Sequence, residues 1–206
     1  MISKDRLLGL LRSAMSQDYA MFAPVRKSEG VMLERIEDES TVDFDHVLTV
    51  NTLKDVALPR VEPLADFNRE DHSIEAINDD ATKILVFGSR PCDAAALEIL
   101  DAILMGSVQD ARYAQRRDRM VLVTVACSAC DEACFCSSMG YGPHDPTGSD
   151  VLILPHGAEF LVRSFTRKGG QFLKAMNVVE DPGGQPDEPP TLKRQIDIGK
   201  LIFTFF

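Results

Sequence analysis

The sequence predicts an α/β fold: a mixed sheet with a central parallel βαβ unit and antiparallel strands at its margins. Three observations carry that prediction. Ile84-Leu85-Val86-Phe87 is an unbroken apolar run ended by Gly88, as in a central strand buried on both faces. Met120-Val121-Leu122-Val123-Thr124-Val125 is a second such run. Between them Asp93 can cap a helix on which Leu97, Leu100, Ile103 and Leu104 form an apolar stripe. Strand, helix and strand in that order imply a right-handed crossover and two parallel strands.

The other elements follow along the chain. Residues 3–17 place Leu7, Leu8, Leu10, Leu11 and Met15 on one side of a helix, with Lys4, Asp5 and Arg12 off it. Tyr19 to Val25 and Val31 to Ile36 read as a hairpin whose loop ends at Gly30. His46 to Val50 is a short strand candidate. Asn51 to Asn68 holds two prolines and reads as an irregular crossing, and Glu70 to Asp80 is polar with one weak helical turn. A polar passage, Gln109 to Arg119, precedes the second buried strand. Val151 to Leu154 and Glu159 to Phe165 form strands around Pro155-His156-Gly157, and a helix runs from about Lys168 to Met176. One domain is expected over 1–179. Residues 180–206 then make a linker rich in Pro and Gly (Asp181 to Pro190) and an apolar tail (Ile198 to Phe206) that docks on this domain or a neighbour.

Composition limits the classes of function. The 206 residues carry a formal net charge of -10, which argues against nucleic acid and anionic membrane as partners. No stretch approaches the roughly 20 apolar residues of a membrane span. The first residues lead into an amphipathic helix rather than a signal segment, so a cytoplasmic location is expected. There, clustered cysteines read as metal ligands or redox groups before disulfides.

Four of the five cysteines, Cys127, Cys130, Cys134 and Cys136, fall within ten positions, and Cys92 lies upstream in Arg90-Pro91-Cys92-Asp93. Cys92 lies just beyond the first parallel strand and Cys127 directly follows the second. Neighbouring parallel strands run about 4.8 Å apart with their carboxyl ends on one edge, where open α/β sheets place ligands. Topology therefore brings distant thiols together. An iron–sulfur cluster would suit them: an anionic object wanting soft sulfur ligands and nearby donors. The helix beginning near Asp93 would lower the Cys92 pKa, Arg90 would add a cation at the rim, and Gly140 and Gly142 would let backbone amides approach. Structural zinc and thiol redox chemistry at Cys134 and Cys136 are the alternatives. Zinc prefers paired Cys-x2-Cys knuckles, and only Cys127 and Cys130 form one.

At these residues the sequence resembles a known family, the beta subunits of cytosolic hydrogenase/sulfur reductases (sulfhydrogenases) together with the matching subunit of anaerobic sulfite reductase. The resemblance rests on Phe87-Gly88-Ser89-Arg90-Pro91-Cys92-Asp93 and on Cys134-Phe135-Cys136-Ser137-Ser138-Met139-Gly140, with Tyr113, Arg116-Arg117, Cys127 and Gly142-Pro143, over roughly residues 20 to 175. It implies that Cys92, Cys127, Cys134 and Cys136 ligate a [4Fe–4S] cluster and that Cys130 is a spare thiol. It also implies an electron-transfer subunit rather than a catalyst alone, with flavin- or iron–sulfur-bearing subunits of a redox complex as partners. A zinc-stabilised assembly module is the alternative. Members usually continue into a ferredoxin-like portion with two further cluster motifs, which this sequence does not contain.

Other candidates are weaker. Arg112, Arg116, Arg117 and Arg119 form a basic island, readable as a solvated loop or as a dock for an acidic partner or a phosphate. His144 lies near the cysteine loop, where it reads as part of a surface turn or, alternatively, as a group that tunes or replaces a ligand. No phosphate loop, catalytic triad or pair of carboxylates is singled out by spacing.

Overall fold

The computed structural model describes residues 1–77 and 82–180. The linker and apolar tail expected from Asp181 onward lie outside the described residues. The first helix, α1 (Lys4–Met15), starts at Ser3, whose hydroxyl accepts the Arg6 N–H at 3.3 Å. Leu7, Leu10, Leu11 and Ala14, spaced i, i+3, i+4 and i+7, are buried. Strands β1 (Tyr19–Lys27) and β2 (Gly30–Ile36) form the expected antiparallel hairpin. His46–Val50 is not a strand. His46 is instead turned inward and buried, and a short helix follows at α2 (Lys54–Ala57).

Two three-residue strands, β3 (Ala65–Phe67) and β4 (Ile74–Ala76), make a separate exposed hairpin where the sequence suggested irregular chain and a helical turn. Then come β5 (Lys83–Ser89), α3 (Pro91–Leu104), α4 (Ala111–Arg119) and β6 (Met120–Val125). The chain ends its described part with β7 (Val151–His156), β8 (Glu159–Ser164) and α5 (Arg167–Ala175).

Six strands form one sheet in the order β2-β1-β5-β6-β7-β8. The four inner strands are parallel and both edge strands are antiparallel to their neighbours, so the mixed sheet with a central βαβ unit is the observed fold. Alternation sorts the side chains. Val121, Val123 and Val125 face one side with Leu85, Phe87, α1 and α5, while Met120 and Leu122 face the other with Val86, Leu97 and Tyr113. Three layers result, helix on sheet on helix.

Pro24 sits in β1 two residues past its last pairing with β5, where its missing N–H costs no ladder bond on that side. Gly88, at φ +81°, lies against it; a Cβ there would stand 2.8 Å from Pro24 Cδ. The β5–β6 register shifts at this glycine. The outer edge of β2 is occupied by a side chain. Asn51 Oδ1 accepts the Leu33 N–H at 2.7 Å, and its Nδ2 donates to Leu33 O at 2.8 Å, as a strand would.

The polar passage before β6 is the helix α4, not a loop. Three of the four arginines of its basic island pair within the fold: Arg112 and Arg116 share Glu62 at 3.1 and 2.5 Å, and Arg117 pairs with Asp101 at 3.1 Å. Arg112 also donates to Pro63 O, Leu64 O and Ile77 O, fastening the base of the β3–β4 hairpin. Among the described residues no helix is long and apolar enough to cross a membrane.

Candidate functional site: a thiol-lined cavity at the carboxyl edge

The ends of β5 and β6 set the site. Ser89 pairs with Thr124 in register, so Cys92 and Cys127 each stand three residues beyond a matched pair. At the β5 tip the chain turns at Arg90 into α3, with Pro91 in the first turn and the Asp93 carboxylate accepting the Arg90 N–H at 3.4 Å. This holds Cys92 in the first turn of α3. At the β6 tip, Ala126 N–H donates to Ile153 O at 2.8 Å and Cys127 N–H to Pro143 O at 3.0 Å. The cysteine loop thus leaves the sheet and returns to it at nearly one point, a compact closed loop.

Within the loop the backbone is fixed locally. The Cys134 thiol donates to Asp131 Oδ1 at 3.3 Å and accepts the Asp131 N–H at 3.4 Å. Cys136 opens a 3-10 turn over Cys136–Met139 that ends at Gly140 in the left-handed region, φ +83°. The Gly140 N–H donates to Ser137 O at 3.3 Å, and the Tyr141 N–H to Cys136 O at 3.1 Å.

Cys92, Cys127, Cys134 and Cys136 line one cavity of about 280 Å³, together with Gly142. Its remaining wall is apolar: Val47 and Leu48 from the loop after His46, Ala95 and Ile99 from α3, Phe135 and Met139 from the cysteine loop. Topology therefore does deliver the separated thiols to one place. None of the five cysteines is joined in a disulfide among the described residues.

The expected metal centre is not what the cavity provides. Among the described residues no group of three or more His, Cys, Asp or Glu side chains is gathered so as to hold a metal ion. This overturns the [4Fe–4S] cofactor, the iron–sulfur electron-transfer function that depended on it, and the zinc-stabilised alternative. Burial within the cavity also favours the neutral thiols. Burial pushes the Cys92 thiol up to about 12, helped by the Asp93 carboxylate. Burial pushes Cys127 up to about 11, although the neighbouring Arg90 guanidinium pulls the other way. Cys134 is raised as well, again first by burial. The positive end of α3, expected to lower the Cys92 pKa, is outweighed by desolvation. Neutral thiols of this kind are weak nucleophiles, and the cavity is suited to hold an apolar group rather than to attack an electrophile.

Arg90 is not a cation at the rim but a buried keystone, 2% exposed. One guanidinium nitrogen donates to Val125 O and Ala126 O, both at 3.2 Å, and another to His46 O. It thereby ties β6, the start of α3 and the 46–48 wall of the cavity into one unit. The His46 Nδ1 lies 3.0 Å from Asp43 O and 3.3 Å from an Arg90 guanidinium nitrogen, and the ring's tautomer decides which of the two is a hydrogen bond. Burial, and then Arg90, push the His46 pKa down to about 4. Residue spacing alone gave no sign of the Val47–Leu48 wall or of His46. His144 Nε2 stands 3.3 Å from Cys127 O, at the neck of the loop.

With this geometry in place, one curated relative is informative. The chain is 28% identical over 156 residues to sulfhydrogenase 2 subunit beta of Pyrococcus furiosus. The relationship is distant. The match covers 74% of this chain but 44% of that protein, so the chain spans less than half the length of the relative it resembles. No family model and no solved structure matches the chain.

Proposed function

We propose that the chain is a non-catalytic portion of a multi-subunit oxidoreductase of the sulfhydrogenase kind, with the carboxyl-edge cavity turned toward a flavin- or iron–sulfur-bearing partner. The observation that carries this reading is the similarity over three quarters of the chain to a protein that is itself a subunit of such an enzyme. The fold supports it: the cavity lies where open α/β sheets present their functional edge, and Cys92, Cys127, Cys134, Cys136 and Gly142 face it together. Arg90 holds the backbone of His46, next to the Val47–Leu48 wall, and Gly140 ends the 3-10 turn of the cysteine loop. In this reading the chain seats and encloses, and the redox chemistry belongs to the partner.

The test is purification of the tagged full chain from its own anaerobically grown cells, followed by native mass spectrometry and a visible absorption spectrum. The expected result is a complex of fixed stoichiometry containing a second subunit with a flavin or iron–sulfur chromophore. Recovery of the chain alone, or with colourless partners only, would overturn the reading.

A further inference from the structure

We propose that the partner subunit docks on an apolar patch at the mouth of the thiol cavity, formed by Ile99, Ile103, Phe135 and Met139, through an apolar surface bordered by Lys and Arg. The inference rests on the multi-subunit reading above and adds to it the surface and the chemistry of the partner.

Ile99 and Ile103 stand one turn apart on the outer face of α3, so both point the same way. Their sequence neighbours on the helix, Ala94, Ala95 and Leu97, are the buried face. Ile99 is 50% exposed and Ile103 67%, although their i and i+4 spacing is that of a buried stripe. Across the cavity, Phe135 is 49% and Met139 47% exposed. Ile99, Phe135 and Met139 all line the same cavity, so the patch is continuous around its mouth. Three large apolar side chains held half in water around an apolar opening, with Ile103 one turn further along α3, are the composition of an interface core.

Charge identifies the occupant. The segments 91–111 and 120–162, which carry the patch residues, contain no Lys or Arg. Of their acidic residues Glu98, Asp131 and Glu132 are exposed, whereas Asp93 and Asp150 are turned into the fold and Asp101 is paired with Arg117. Asp131 and Glu132 are exposed beside Phe135 in the cysteine loop. A second copy of this chain, with a net charge of -10, would meet this face with like charge. A basic-bordered partner would be steered onto it and would seal the cavity from water.

The test uses the full chain and the partner subunit recovered with it, comparing variants by co-elution at fixed concentration. Ile103→Glu, which replaces an exposed side chain outside the cavity, should weaken the complex at least tenfold. The variant Glu132→Lys, confined to an exposed position, should weaken it several-fold and lessen its salt dependence. Ile74→Glu, an equally exposed apolar site on the distant β3–β4 hairpin, should leave the complex intact. A wild-type chain that assembles while both patch variants also assemble fully overturns the docking surface and leaves the multi-subunit reading standing. Loss of assembly in Ile74→Glu to the same extent as in Ile103→Glu overturns it as well. A wild-type chain that never assembles removes both.

Discussion

At Arg90 a single guanidinium serves three buried carbonyls, those of Val125, Ala126 and His46. Its charge is buried and no carboxylate forms an ion pair with it among the described residues, so the fold keeps it for its hydrogen bonds. Removing it would relieve the cost of a buried charge yet orphan up to three acceptors, at roughly 1–3 kcal/mol each. The loss outweighs the relief, and Arg90→Met should lower the unfolding free energy by about 3 kcal/mol. Arg90→Lys should recover only part of that, because an ammonium cannot span the same fork. Urea titration of both variants checks this; equal midpoints for Arg90→Met and the wild type would refute the keystone role. The cavity thiols offer a second measurement at this scale. With Cys92 and Cys127 held neutral by burial, these two should alkylate last in the folded chain at pH 8, mass-mapped peptide by peptide. Labelling of Cys92 at the rate of the unfolded chain would contradict its buried, protonated state.

Among the elements, three glycines separate propensity from packing. Gly9 lies in the middle of α1, and a Cβ added there would meet nothing within 4 Å, so Gly9→Ala should stabilise by up to about 1 kcal/mol through helix propensity alone. Gly169 also lies in a helix, α5, but its Cβ would stand 2.1 Å from the Asp150 carbonyl oxygen. There the clash overrides propensity, and Gly169→Ala should destabilise despite the same chemical change. Gly148, at φ +78° and with a Cβ 2.1 Å from Ala94 O, should tolerate alanine least, because strain and collision add. Thermal melts of the three single variants give the order; Gly169→Ala melting above wild type would sink the packing argument. The same contrast explains what could be read from the chain in advance. β5 and β6 were legible because each is an unbroken apolar run, and the β1–β2 hairpin because Gly30 marks its turn. α4 was not, because its buried face is made of Tyr113 and the Arg116 side chain, which score as polar punctuation rather than as core. In the site, the meeting of Cys92 with the later thiols followed from parallel topology. Their protonation did not, since it depends on burial in a cavity whose wall includes Val47 and Leu48, remote in sequence.

For the whole molecule, buried titratable groups set a stability profile with two shoulders. His46 has an ordinary pKa of 6.5 that the fold depresses to about 4, so the folded state binds fewer protons than the unfolded chain between those values. Its contribution is complete above about pH 6.5 and is lost as the pH falls toward 4. The thiols act with the opposite sign. Cys92 and Cys127 rise from 9.0 to about 12 and about 11, so the folded state holds protons that the unfolded chain releases. Their contribution is complete below about pH 9 and declines as the pH rises toward 11 and 12. Tyr113, raised by burial and by its bond to Asp101, adds to the same alkaline decline. Urea midpoints measured from pH 5 to pH 10.5 should therefore be level between about 6.5 and 9 and fall on both sides. Cys92→Ala should flatten the alkaline shoulder without moving the acid one, and His46→Gln should do the reverse. An alkaline fall of unchanged steepness in Cys92→Ala would mean that this thiol is already solvated in the folded chain, and the apolar, desolvating character of the cavity would fall with it.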